Sequence, residues 1–254
     1  MKKIIAQLLE QLGYEVIKTK YSYDKGGIPV DMLRDTAFME IFHACRPYTM
    51  SSPERMYSLF QAVTYVVEQG IEGDFVECGV WKGGSSMIMA LRLQQLGDTR
   101  RKIYLYDTFE GMSEPTEKDQ SHRGEKAESL LNKAQKEADY SVWAYSPIEH
   151  VQANLAKTGY AADQLVFVKG KVEDTIPATI PAQIALLRLD TDWYESTKHE
   201  LIHLYTLLSD KGPLIIDDYG HWEGAREAVD EYFAQHSLTP YLHRIDYTGR
   251  MMFK

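Results

Sequence analysis

The stretch LRLDTDWYEST, Leu187 to Thr197, starts as the end of an apolar run, turns acidic at Asp190 and Asp192, and continues into a helical pattern. PLIIDDYGHWEG, Pro213 to Gly224, repeats the plan with Asp217 and Asp218 side by side. A strand that delivers carboxylates at its end and then feeds a helix is the building unit of an alternating β-α protein. Working outward, DFVECG, KIYLYD and LVFVKG, beginning at Asp74, Lys102 and Leu165, are further short apolar runs that end in glycine or an acid. Helical stretches separate them: GSSMIMALRLQQLG from Gly84, SPIEHVQANLAKTG from Ser146, YESTKHELIHLYTLLSDKG from Tyr194 and GAREAVDEYFAQH from Gly224. Ser146 with Glu149 three positions on reads as a capping box. This rhythm predicts a mostly parallel sheet covered on both faces. The last segment, PYLHRIDYTGRMMFK, breaks it with two short runs around Asp246 to Gly249, a hairpin that adds an antiparallel edge.

Composition narrows the functions. The 254 residues fit one domain, read as a helical extension over 1–70 and a core over 71–254. In the extension, SPERMYSLFQAVTYVVEQG predicts a helix capped by Ser52, with Pro53 at its first position and Gly70 at its end. With 28 basic against 37 acidic residues and a net charge of -9, neither nucleic acid nor an anionic membrane is an expected partner. The two cysteines, Cys45 and Cys78, form no zinc-binding spacing and no disulfide framework, so a reducing cytoplasm is the expected compartment. The opening MKKIIAQLLEQLGYEVIK reads as an amphipathic helix, a lid or dimer element rather than a signal peptide, and a homo-oligomer is expected. Glu110 to Glu128 reads as a polar insertion forming a mobile surface loop.

In open sheets of this kind ligands sit at the carboxyl ends of the strands, near the point where strand order reverses. FVECGVWKGGSS supplies the expected cofactor loop. Gly79, Gly83 and Gly84 permit a sharp turn and close approach to a ligand, while Ser85 and Ser86 can cap the next helix. The pattern E-x-G-x-x-x-G-G is not the dinucleotide fingerprint G-x-G-x-x-G. Glu77 would repel a pyrophosphate and suits a cationic amino-acid moiety, and Asp107 lies where a ribose-binding acid is expected. Together they favour S-adenosylmethionine over NAD.

VECGVWKGGSS, LYDTFEGM, LRLDTDWYEST and IIDDYGHWEGAREAVDEY, in that order, resemble the macrocin O-methyltransferase (TylF) family, with similarity running from Arg46 to the C-terminal strands. The resemblance implies a Rossmann-like class I methyltransferase sheet, S-adenosylmethionine as methyl donor, Mg²⁺, and a sugar hydroxyl of a glycosylated small molecule as acceptor. It also implies that Tyr48, Thr49, Met50 and Ser51 belong to a lid over the cofactor. By the same resemblance Asp190, Asp217 and Asp218 bind the metal, and Asp192 is the general base. With the loop residues, the expected cofactor set is Thr49, Met50, Ser51, Glu77, Gly79, Ser85 and Asp107.

Physical argument supports the metal separately. Two unit charges ~4 Å apart repel by ~4 kcal/mol at an effective dielectric near 20, so four crowded aspartates need a cation or protons. Oxygen donors without a Cys/His partner favour a hard cation such as Mg²⁺ over zinc. Helix capping by Asp192 and Asp218 is the competing account of those residues. The DxD spacing leaves open whether Asp192 continues the strand or is redirected by a turn. His43, His199 and His203 read as ordinary helical residues, Arg188 as paired with an acid or lying at a sheet edge, and His221, Tyr194, Tyr219 and Trp222 as neighbours of the pocket. Catechol methylation, a cofactor-binding protein without turnover, and a metal-dependent hydrolase are the rival readings.

Overall fold

Every apolar run forms a strand, because β-branched and aromatic side chains fill both faces of a covered sheet. In the computed structural model, which describes residues 27–254, these are β1 (Asp74–Cys78), β2 (Ile103–Asp107), β3 (Leu165–Lys169), β4 (Ile184–Leu189) and β5 (Pro213–Ile216). The C-terminal hairpin adds β6 (His243–Arg244) and β7 (Arg250–Phe253). Their order across the sheet is β3-β2-β1-β4-β5-β7-β6; the pairs β5–β7 and β7–β6 are antiparallel and the other four are parallel. This is the mostly parallel sheet with an antiparallel end that the sequence pattern predicts. Strand order reverses between β1 and β4, which fixes where a ligand can lie.

The chain divides into two compact units, residues 1–39 and 40–254. Of the first, the described part holds the helix Val30–Arg34 and the start of the helix Thr36–Cys45. The N-terminal amphipathic helix expected over the first eighteen residues lies outside the described residues. No helix among the described residues is long and apolar enough to cross a membrane.

In the second unit the helices Tyr194–Leu204 and Glu223–Gln235 pack together, and their apolar residues join those of the sheet in one cluster that includes Val76, Leu187, Leu189, Leu214, Leu201 and Phe233. The helices Pro53–Glu68 and Gly84–Gln95 pack on each other and touch β4 and β2. All six residues of β4 are therefore buried, Arg188 included. Ser52 caps its helix as expected, its hydroxyl accepting from the Arg55 amide at 3.1 Å, with Pro53 in the first turn. Ser146 does not cap. Pro147 occupies the N-cap position of the helix Ile148–Ala156, with no side-chain hydrogen bond.

The insertion is not a loose loop either. Asp119 is 1% exposed and accepts from the Tyr194 amide at 2.8 Å, and Ser121 bridges to Trp222. Asp119 and Ser121 tie it to the core while most of its other polar residues stay exposed, a division that composition alone could not reveal.

Candidate active site

Register determines which charges meet. Glu77 on β1 lies beside Arg188 on β4, and Arg188 lies beside Ile215 on β5. Neighbours in register share a face, and so do residues two apart along a strand. Glu77, Arg188, Asp190 and Asp217 are therefore brought to one side of the sheet at its carboxyl end. Arg188 is 3% exposed, and its guanidinium donates to Glu77 Oε1 at 2.8 Å, Asp190 Oδ2 at 2.6 Å, Asp217 Oδ1 at 2.7 Å and, more weakly, Ser51 Oγ at 3.4 Å. Burying a charge costs several kcal/mol unless it is paired; three carboxylates supply the pairing. The sequence reading of Arg188 as an acid-paired residue holds, although β4 is central and not an edge. Arg55, on the helix Pro53–Glu68, reaches the other oxygen of Asp217 in a very short contact and lies 3.1 Å from Asp246.

The strand stops at Leu189, and Asp192 has φ 67, so a turn begins between the two aspartates of the DxD pair. Neither Asp192 nor Asp218 caps a helix; the N-cap positions are Trp193 and Trp222. Four aspartates are thus left to the cluster. Asp190, Asp217 and Asp218 each place one oxygen within 4.8 Å of the others, and Asp218 Oδ2 is buried without a hydrogen-bond partner. Burial, then the charges of Asp192 and Asp217, raises the Asp218 carboxyl well above its ordinary range. Asp190 is raised too, burial outweighing the help of Arg188. Asp192 is pushed up to about 7 by burial and by the charge of Asp190. Asp217 alone is lowered: burial pushes its carboxyl up, but Arg188 and Arg55 together outweigh it. An all-oxygen donor set with an orphaned buried oxygen fits a hard divalent cation of the Mg²⁺ type.

A cavity of about 400 Å³ opens over these residues. It is lined by Thr49, Met50, Ser51, Gly79, Ser85, Asp107, Asp190, Asp192, Asp217 and Asp218, with His221 and Trp222 beside them. Glu77 is the exception among the expected site residues. It is 1% exposed, held between Arg188 and the Ser86 hydroxyl, and does not line the cavity. Asp107 does line it, but its carboxylate also braces the glycine loop, Oδ2 accepting from the Val80 and Trp81 amides at 2.7 and 3.0 Å and Oδ1 from the Phe109 amide at 2.6 Å. A carboxylate has about four acceptor directions, so capacity remains for a hydroxyl.

The loop departs from expectation at the start of its helix. The helix Gly84–Gln95 has Gly83, at φ 90, as its N-cap and no side-chain cap, so Ser85 and Ser86 do not cap it. Gly79 is required by the protein's own backbone: at φ 84, a Cβ there would lie 1.9 Å from the Asp190 carbonyl oxygen. Gly79→Val is accordingly expected to cost about 3 kcal/mol or more of stability, read from urea unfolding, before any effect on ligand binding. A variant as stable as the parent would contradict this account of the loop.

Sequence reasoning missed several residues at this site. Arg55 sits three positions past a helix cap and reads as an ordinary surface cation. Trp81 and Tyr140, which also line the cavity, carried no distinguishing signal beyond being aromatic.

Comparisons with known proteins identify the family. The family model described as macrocin-O-methyltransferase (TylF) matches residues 40–254. Over 202 residues the chain is 36% identical to the 8-demethyl-8-(2,3-dimethoxy-alpha-L-rhamnosyl)-tetracenomycin-C 4'-O-methyltransferase of Streptomyces olivaceus, covering 80% of this chain and 74% of that protein. It is 33% identical over 203 residues to the mycinamicin III 3''-O-methyltransferase of Micromonospora griseorubida, covering 80% and 76%. Among solved structures, that of the O-methyltransferase NovP matches with a TM-score of 0.70 and 32% identity over 82% of each chain. With the whole of the sheet and the carboxylate cluster inside the matched span, the chain belongs to the macrocin O-methyltransferase (TylF) family.

Proposed function

We propose that the protein is an S-adenosylmethionine- and Mg²⁺-dependent O-methyltransferase that methylates a sugar hydroxyl of a glycosylated natural product or glycan. The observation that carries this reading is the cluster of Asp190, Asp217 and Asp218, with its unpartnered Asp218 oxygen, in the same cavity as the glycine loop and Asp107. The relative from Streptomyces olivaceus, whose name specifies a rhamnosyl acceptor, supports the sugar.

When bound, the cofactor supplies an electrophilic methyl group and the cation acidifies an oxygen beside it. The chain's own part is to position and to move a proton. Asp192 is the assigned base: it lies next to the metal-ligand set, lines the cavity, and is pushed towards neutrality, where a carboxylate is a useful proton acceptor. Asp107 is assigned to hydroxyls of the cofactor's ribose through its spare acceptor directions. Thr49, Met50 and Ser51, the assigned lid, run into Ser52, whose hydroxyl donates to Asp246 at 2.7 Å, while the Ser51 amide donates to Thr49 Oγ1 at 3.0 Å. Gly84 lets this segment approach the loop, since a Cβ there would lie 2.5 Å from the Tyr48 carbonyl oxygen. Glu77 is dropped as a direct cofactor contact and assigned instead to holding Arg188.

The test is incubation with S-adenosylmethionine, Mg²⁺ and a panel of glycosides and catechols, with mass detection of a methyl gain. Methylation of one or more glycosides is expected. A product from catechols alone would move the acceptor class, and cofactor binding without any product from an active preparation would sink the reading.

A further inference from the structure

We propose that a second cavity, beside the carboxylate cluster, is an acceptor subsite for the ring attached to the methylated sugar. That ring is a hydroxyl-bearing unit with a face that can pack on an aromatic side chain, either a second sugar or a phenolic aglycone. The inference rests on the glycoside acceptor proposed above and extends it to what the glycoside must carry.

The cavity, of about 490 Å³, lies between the insertion at residues 121–130 and the pair His221 and Tyr247. His221 and Tyr247 also line the cavity over the aspartates, so the two spaces share a wall. Three rings gather there. The centroids of His122 and His221 are 5.2 Å apart, those of His221 and Tyr247 6.0 Å, and those of His122 and Tyr247 6.1 Å. His122 is exposed, and so is Tyr247, at 54%. Rings clustered at a cavity mouth offer faces to a flat partner. Arg123 and Glu125 line the same space and bring donors and acceptors suited to hydroxyls.

The wall is built on fixed backbone. The His122 amide donates to the His221 carbonyl at 2.7 Å, the Glu223 amide to the Gln120 carbonyl at 2.8 Å, and the Gly220 amide to the Thr248 carbonyl at 2.9 Å. A Cβ at Gly220 would lie 2.1 Å from the Tyr247 carbonyl oxygen, so the hairpin turn is seated directly on the loop that follows Asp218. The Thr248 hydroxyl donates to the Asp217 carbonyl at 2.7 Å. Three segments far apart in sequence are thereby locked together next to the metal-ligand set.

The test uses the full chain with S-adenosylhomocysteine and Mg²⁺, and follows the ring-proton NMR signals of His122 and His221, assigned from His122→Gln and His221→Gln. Three probes are titrated: methyl α-L-rhamnoside, 4-nitrophenyl α-L-rhamnoside and a rhamnosyl disaccharide. His221, which lines both cavities, is expected to shift with any glycoside that binds, whereas a saturable shift of His122, which lines the second cavity alone, is expected with one or both extended probes and not with the methyl glycoside; which of the two acts separates an aglycone from a second sugar. Tyr247→Ala should weaken the active probe by about 5- to 10-fold, the loss of one ring face. Binding or methylation of the extended probes that leaves His122 unperturbed, or that Tyr247→Ala does not weaken, overturns the subsite and leaves the O-methyltransferase reading standing. Failure of every probe to bind and to be methylated overturns both.

Discussion

Asp192→Asn is expected to lower kcat by about 10²-fold or more while leaving affinity for S-adenosylhomocysteine and for Mg²⁺ close to that of the parent, because an amide cannot accept the proton that a carboxylate does. The variant keeps the shape of the turn: Asn tolerates the left-handed φ of 67 at this position as Asp does. The pH profile gives a second reading of the same residue. A base must be deprotonated to act, and burial together with Asp190 pushes the Asp192 carboxyl up to about 7. A cation held by Asp190 and its neighbours opposes that rise, so kcat should fall on an acidic limb centred at or below about 7. In Asp192→Asn this limb should vanish or move. Near-normal turnover would remove Asp192 as base and turn attention to His221, which lines the same cavity. Loss of Mg²⁺ affinity would instead make Asp192 a ligand.

The sheet and the location of the site were legible because each follows from local pattern. Apolar runs such as IALLRLD from Ile184 and PLIIDD from Pro213 have the length of buried strands, and Asp246 to Gly249 announces its own hairpin. What was not legible depends on register and clearance. That Glu77 faces Arg188 rather than the cavity follows from the pairing of β1 with β4, a long-range fact with no trace in the spacing around Glu77. Gly79 reads as a ligand-contacting glycine and does line the cavity, but the Asp190 carbonyl beside it is a second demand for glycine that the sequence does not display. Asp192 could have continued the strand, and its positive φ decides for the turn.

Arg188 deserves weight because it changes what the aspartates have in common. The four carboxylates, read from sequence as three metal ligands and a base, are also electrostatically unequal in the folded protein. Asp217 is held by two guanidiniums and lies below its ordinary range, whereas Asp190, Asp192 and Asp218 are all raised. One carboxylate is thus kept charged, and the other three carry the repulsion that a bound cation would relieve.

That inequality leads to the remaining large effect, the response to chelation. EDTA should abolish turnover and Mg²⁺ restore it, with S-adenosylhomocysteine binding largely retained because the glycine loop follows a different strand. Stability should respond too. A carboxyl whose folded pKa is raised, as for Asp192 at about 7 against an ordinary value of 3.8, favours the folded state below 3.8, and that contribution is lost as pH rises through about 7. Asp190 and Asp218 shift in the same direction. Without a cation the protein should therefore lose stability as pH rises through neutrality, and Mg²⁺ should protect it more strongly at pH 8 than at pH 6. Mg²⁺ at about 100 times its Kd adds ~2.7 kcal/mol, or roughly 5–10 °C in Tm for a unit of this size. Asp218→Asn separates charge relief from mere ion effects. It removes the orphaned carboxylate oxygen, so the metal-free variant should melt at or above the parent's temperature at pH 8, while its Mg²⁺-dependent gain in Tm should largely disappear. A destabilised metal-free variant that still responds fully to Mg²⁺ would show that Asp218 packs the site without binding the ion, and full activity after exhaustive chelation would remove the cation from the reaction altogether.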